Sequence, residues 1–479
     1  MGARAISMVN GIGRRKALRL RRGLAALAVA VTVMGGMTAA APPDTDVPAG
    51  TSADALQAKR EATLNGARPV PKRTDFKDSK NCQEVRRQAL AGGEKQAMCV
   101  EHVDAETASK QLQSSRSASA DGVVWCDDKE LGEVYVTRVS ICSKRLLQVT
   151  LLDAETATPL GVAFLTVKQE INTREVDGKP LPLPGSFHED IWMQVQAATG
   201  TLMGGFTVEI DSDCAPTSQC DQGEDPWTGP TPVTVLSELE GTWNRVWKEP
   251  VGNARMMLGY TITVGHAGRK ASTSWGINES SAWEVRCDKQ IGTAIGCVVP
   301  SFIPTFVVNY LEYPAGSDYI DDAQAYIQTH PGRMNSDGTG NPLHREASAL
   351  WAERNRQMVC DRTFKIEDEF NGAYELQCDE YPFARTKESG GQLGITTGAD
   401  CKQFRAVPGN ANFEPRRNHT MLSYRPNGPA NCARATMIKK DNEGVGGDLG
   451  RFFVSQRVLD RDAFWVDAMS WSEYCKCLK

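Results

Sequence analysis

Fourteen cysteines stand at 82, 99, 126, 142, 214, 220, 287, 297, 360, 378, 401, 432, 475 and 477, and none precedes residue 82. The stretch they avoid has its own character. Arg14, Arg15, Lys16, Arg19, Arg21 and Arg22 lead into an apolar run from Gly23 to Met37, and Thr38 to Ala41 follow before Pro42-Pro43. That run falls short of the ~20 apolar residues needed to cross ~30 Å of hydrocarbon. Residues 1–41 therefore read as a bacterial-type secretory signal ending in a small-residue cleavage site, with the export route (Sec or twin-arginine) left open. An even cysteine count in an exported, extracellular chain predicts a disulfide framework. Connectivity is not legible, although Cys214 with Cys220 and Cys287 with Cys297 are natural local pairs. A metal-cluster reading finds only Cys475-Lys476-Cys477 as a close pair, which is weak support.

The 479 residues exceed what one core holds, so two or three domains are expected. The formal charge of −5 understates the acidity of the exported part: seven of the 54 basic residues and none of the 59 acids lie in 1–41, leaving −12. A globally acidic chain is not an obvious nucleic-acid binder, so local charge carries more information.

Along the chain, 42–121 reads as a linker or pro-segment with short helices: 42 to about 80 is rich in Pro, Ala, Asp and Lys without apolar periodicity, and long polar residues and Ala after Cys82 suggest a short helical piece or two. At Val123 the composition turns to β-branched and aromatic residues. Glu133–Cys142, Leu146–Leu152 and Gly259–Val264 alternate as half-buried strands do, with Gly/Pro turn clusters between them. This predicts a β-rich, sandwich-like domain over 122–310, with ligand and role unread. Trp125, Trp192, Trp243 and Trp247 there suit core packing better than a sugar platform. Residues 311–350 read as a connecting region of turn formers, with a helix from about Arg345 to Met358. The expected class is therefore α+β and multidomain, ending in a small disulfide-bearing α+β domain over 351–479.

Two patches in that last segment carry chemistry. In Gln377-Cys-Asp-Glu-Tyr-Pro-Phe-Ala384, the adjacent carboxylates Asp379 and Glu380 stand between a cysteine and a proline that restricts Tyr381 to extended backbone. Carboxylates so held can take a proton from water or bind a hard cation. In the second, Lys439 to Phe453, Asn442 offers an amide oxygen, and the glycines after it read as a surface loop that a large substrate can approach. Taken alone, these patches are better described as a stapled acidic turn and a glycine-rich surface loop than as a site. Phosphate-cradling GxxxxGK[ST], HExxH and GxSxG patterns are absent.

Cys-Asp-Glu-Tyr-Pro-Phe-Ala at 378–384, the Asp-Asn-x-Gly-x-Gly run at 441–446 and the apolar finish Asp462-Ala-Phe-Trp-Val466 together resemble the NucA/NucB family of secreted bacterial deoxyribonucleases. The resemblance covers under a third of the chain. It implies a metal-dependent endonuclease (a hydrolase) cutting DNA with little sequence preference, using Mg2+ or Mn2+. Asp379 would be the general base, Glu380 would orient that base or a water on the metal, and Asn442 would hold the metal. Arg385 and Lys440, each beside a motif, are the expected phosphate contacts. The segment 401–440 supplies local positive charge, with eight basic residues against one acid, Glu414. His344 and His419 are candidate auxiliary acids. Two rival readings stand beside this one: a non-catalytic binding or adhesion protein with an inactive nuclease-like domain, and an antibacterial nuclease toxin with an immunity protein as inhibitor.

Overall fold

Strong β-formers dictate most of the architecture. In the computed structural model, which describes residues 53–71, 82–103, 126–176, 178–408, 419–425 and 430–468, the chain is a strand-rich α+β protein. All of these residues fall in the unit running from Gly50 to Lys479. The signal-like segment 1–41, Trp125, Arg416, Arg417, Cys475 and Cys477 lie outside the described residues.

Two antiparallel sheets share one apolar core. The first has eight strands, centred on Ser140–Asp153, Pro159–Asn172, Ser186–Ala198 and Glu238–Trp247. The second has six, centred on Phe206–Ala215 and Asn253–His266. Leu147, Val149, Leu165 and Met193 of the first sheet meet Phe206, Val208, Met256 and Ile262 of the second, each side chain contributing about 1.5–3 kcal/mol on burial. Second-sheet strands bury alternate residues, as the sequence pattern implies. Strands Ser140–Asp153 and Pro159–Asn172 bury long runs instead, because their outer face is covered too, in part by Cys126, Trp192 and helix Cys82–Ala91. Trp192, Trp243 and Trp247 are all buried, so they are core residues and form no platform.

A second core runs from Ile291 to Ala468. It lies among a four-stranded sheet ordered Leu376–Tyr381, Ala433–Ile438, Lys402–Pro408, His419–Arg425, a three-stranded sheet of Thr305–Val307, Ala463–Asp467 and Leu343–His344, and helices Pro314–Tyr326 and Lys439–Ser455. The stretch read as connecting turns thus contains a 13-residue helix, and its Tyr319, Ile320 and Ala323 pack with Phe404, Ala435 and Met437. Likewise, the glycine-rich run after Asn442 is helix Lys439–Ser455 rather than a loop. Glycine disfavours a helix, but here it permits close packing: a Cβ on Gly444 would stand 2.2 Å from the Tyr313 ring.

The two cores are fastened by buried arginines. Arg457, just past helix Lys439–Ser455, donates to both Asp288 carboxylate oxygens at 2.8 and 2.6 Å. Arg138 donates to the Gln456 and Arg457 carbonyls, and Arg286 to the Arg457 carbonyl and the Asp462 carboxylate. Carbonyls left open by the helix end are satisfied by side chains of the sandwich.

The segment read as a linker also holds structure. Helix Ala53–Leu64 and Asn65 bind the Thr305–Val307 strand: Gln57 donates to the Val307 carbonyl, and Asn65 both donates to Thr305 O (3.1 Å) and accepts from Thr305 N (2.8 Å). Arg60 pairs with Asp467. The helix docks through polar bonds, which leave no apolar stripe to read. We expect Arg60→Ala with Asn65→Ala to cost about 1–3 kcal/mol, seen as earlier denaturant unfolding and faster proteolysis of the 53–71 segment.

Among the described residues six disulfides close: 82–99, 126–142, 214–220, 287–297, 360–378 and 401–432. They include both expected local pairs. No helix among these residues is long and apolar enough to cross a membrane.

Candidate active site

Strand Leu376–Tyr381 lies at the edge of the four-stranded sheet, in antiparallel register with Ala433–Ile438. Three ties hold it. Cys378 is bonded to Cys360 at the end of helix Ala349–Val359, the Tyr381 hydroxyl donates to the Pro331 carbonyl at 2.6 Å, and buried Asn355 of that helix donates to the Ala384 carbonyl at 2.9 Å. The edge strand, helix Ala349–Val359 and helix Lys439–Ser455 enclose a cleft of about 680 Å³. Its lining includes Asp379, Glu380, Arg385 and Asn442, so four of the five sequence-predicted residues come together. Lys440, exposed on the same helix as Asn442, is not in the lining.

Asp379 is half-buried and Glu380 buried. Burial raises the pKa of both carboxyls. The Glu380 amide, which donates to Asp379 Oδ1 at 2.8 Å, and the Arg356 charge oppose the rise at Asp379, while the Asp441 charge adds to it. At Glu380 the Asp379 charge adds to the rise and Arg356 again opposes it. The two form one coupled acid pair that holds protons to higher pH than free carboxyls do.

Asn442 Nδ2 donates to the Cys378 carbonyl and to Gln377 Oε1, both at 3.3 Å. Its neighbour Asp441 turns the other way. Its carboxylate accepts from the Ala315 and Gly316 amides at the start of helix Pro314–Tyr326, and burial lifts its pKa to about 6. Carboxylate and amide oxygens dominate this donor set, which suits a hard divalent cation such as Mg2+ or Mn2+. The one cluster of three Cys, His, Asp or Glu ligand atoms among the described residues, Cys82, Cys99 and Glu101, does not, since its two sulfurs are joined in a disulfide.

Arg356 was not legible from the sequence. It stands one turn before Cys360, half exposed, with Nη1 3.0 Å from Glu353 Oε2 and Nε 3.7 Å from Glu380 Oε1. The Cys360–Cys378 bridge and the Asn355–Ala384 hydrogen bond bring it beside the acids, and neither pairing had a sequence signal. Arg385 is exposed at the rim, with Nη1 3.3 Å from the Ala347 carbonyl.

Three residues of the basic stretch are engaged in structural contacts. Arg434 is fully buried and donates to Val359 O, Asp361 and Thr363, Arg405 pairs with Glu367 and Glu369, and Lys439 pairs with Glu375. Arg434 is inside because strand Ala433–Ile438 is buried along its whole length. His344 Nδ1 sits 2.7 Å from Glu388 Oε1, outside the cleft lining, and the side chain of His419 lies outside the described residues.

Opening the 360–378 bridge with Cys360→Ser and Cys378→Ser is expected to cost about 3 kcal/mol of stability. It should also detach Arg356 from the acid pair, checked by denaturant midpoint and by the loss of any cleft activity.

Comparison with known proteins finds no family model, no curated protein and no solved structure that matches the chain.

Proposed function

We propose that this chain is an exported, metal-dependent endonuclease that hydrolyses DNA phosphodiester bonds with little sequence preference, akin to the NucA/NucB deoxyribonucleases. The observation that carries the reading is the convergence of the Asp379-Glu380 pair and Asn442, which lies far along the chain from them, on one cleft. Six disulfides support export to an oxidising compartment.

In this reading Asp379 is the general base. Its half-buried carboxylate, made more basic by burial, takes the proton of the attacking water. Glu380, held beside Arg356, keeps that water and Asp379 aligned. Asn442 Oδ1, with the neighbouring carboxylates, holds the divalent cation, which when bound neutralises charge on the scissile phosphate. Arg385 at the rim contacts a flanking phosphate. Lys440, facing solvent on the helix of Asn442, adds positive charge beyond the cleft and contacts the strand farther out.

The test is nicking of supercoiled plasmid by the oxidised full chain with Mg2+ or Mn2+, against chelator, with RNA as a parallel substrate. Metal-dependent nicking supports the reading. A folded chain that cleaves neither nucleic acid with either metal overturns it and favours a non-catalytic binding protein.

A further inference from the structure

We propose that Gln377 is a positioning residue, whose side-chain amide locks Asn442 with its oxygen turned to the cleft as a ligand for a hard divalent cation. The inference deepens the metal-site reading above and rests on it.

A relay of hydrogen bonds runs between the edge strand and helix Lys439–Ser455. Asn442 Nδ2 donates to Cys378 O and to Gln377 Oε1, and Gln377 Nε2 donates to Glu443 Oε1, each at 3.3 Å. Side-chain amides can ordinarily be turned end for end, but here both ends of the relay remove that freedom. A backbone carbonyl such as that of Cys378 only accepts, so the nitrogen of Asn442 must face it. The carboxyl oxygen Oε1 of exposed Glu443 accepts from the nitrogen of Gln377, which fixes the other end. Gln377 is then obliged to present oxygen to Asn442, which matches what Asn442 needs. The result is one orientation of Asn442, with nitrogen committed to the strand and Oδ1 bonded to no donor among the described residues.

Gln377 is placed for this by strand geometry. It stands two residues before Asp379 and so on the same face, while Asn442 and Glu443 are consecutive near the start of the helix opposite. Orientation of a metal ligand by an outer partner is a common way for a protein to set cation affinity without adding a bond to the metal.

The experiment is direct Mn2+ binding to the oxidised full chain, by calorimetry and by the electron paramagnetic resonance signal of free Mn2+, for the native protein, Asn442→Ala and Gln377→Met. Thermal melting confirms folding of each. Gln377→Met is expected to weaken Mn2+ binding about 10- to 100-fold, and to raise by the same factor the Mn2+ concentration giving half-maximal nicking. A general loosening of structure would lower the melting temperature without moving the affinity of the folded fraction. Native affinity in Gln377→Met alongside weak binding in Asn442→Ala overturns the relay and leaves the metal-site reading standing. Native affinity in Asn442→Ala, or no binding by the native chain, overturns that reading itself. Should Gln377→Met fail to fold, Glu443→Leu removes the acceptor at the other end. Its affinity should then fall in the same direction, and native affinity there overturns the relay.

Discussion

Asp379→Asn is expected to lower the rate of metal-dependent DNA cleavage by about 10²- to 10⁴-fold, the usual contribution of a positioned general base, and to make the folded chain more stable at pH 8. The two effects share one cause. Burial raises the Asp379 and Glu380 pKa values, and at Glu380 the charge of Asp379 raises it further. The folded state therefore binds protons more tightly than the unfolded chain. The stability these groups contribute is complete below the unfolded carboxylate range and is lost as pH rises through their raised folded values. A neutral amide at 379 removes one of the two repelling charges, so the gain in melting temperature over the native protein should be larger at pH 8 than at pH 5, measured with chelator present. The native cleavage rate should rise with pH as Asp379 ionises, its acid limb lying above the range of a free carboxylate. An Asp379→Asn protein that cleaves at the native rate would remove the residue from the base role.

The second large effect concerns stability. Asp288→Ala is expected to cost about 3–5 kcal/mol, since it leaves the Arg457 guanidinium uncompensated in a buried site. Asp288 is fully buried and binds Arg457 through both oxygens, while Arg457 also donates to the carbonyls of Asp288 and Ala294. The consequence should reach beyond the pair. Arg457 ends the helix that carries Asn442, and its carbonyl accepts from Arg138 and Arg286. We therefore expect a lower denaturant midpoint together with weaker Mn2+ binding, even though Asp288 lies outside the cleft lining. A midpoint within about 1 kcal/mol of native would show that Arg457 finds other partners.

Local pattern was a good guide where one face of an element decides its burial. Strand Asn253–His266 alternates buried and exposed residues almost throughout, and two short-range cystines are where close spacing suggests. It was a poor guide where burial is two-sided or docking is polar. Helix Ala53–Leu64 is held by Arg60 and Asn65 and has no apolar stripe, so its segment reads as a linker. Glycine was the other source of error. Four glycines in helix Lys439–Ser455 argue for a loop by propensity, yet tertiary packing outweighs a penalty of about 1 kcal/mol apiece.

The sequence by itself determined that the chain is strand-rich, that the cysteines among the described residues pair, and which short motifs hold acids and an amide suited to a hard cation. Those properties are local, set by side-chain type and by spacings of one or two residues. Only the tertiary structure decided that Asp379, Glu380 and Asn442 share a cleft, that Arg356 and Gln377 stand beside them, and that Arg434 of the basic stretch is buried while Arg405 and Lys439 pair with acids. The reason is physical. Contacts between an edge strand, a helix tied to it by Cys360–Cys378 and a helix returning much later in the chain depend on packing and cross-linking over long separations, and no local periodicity records them.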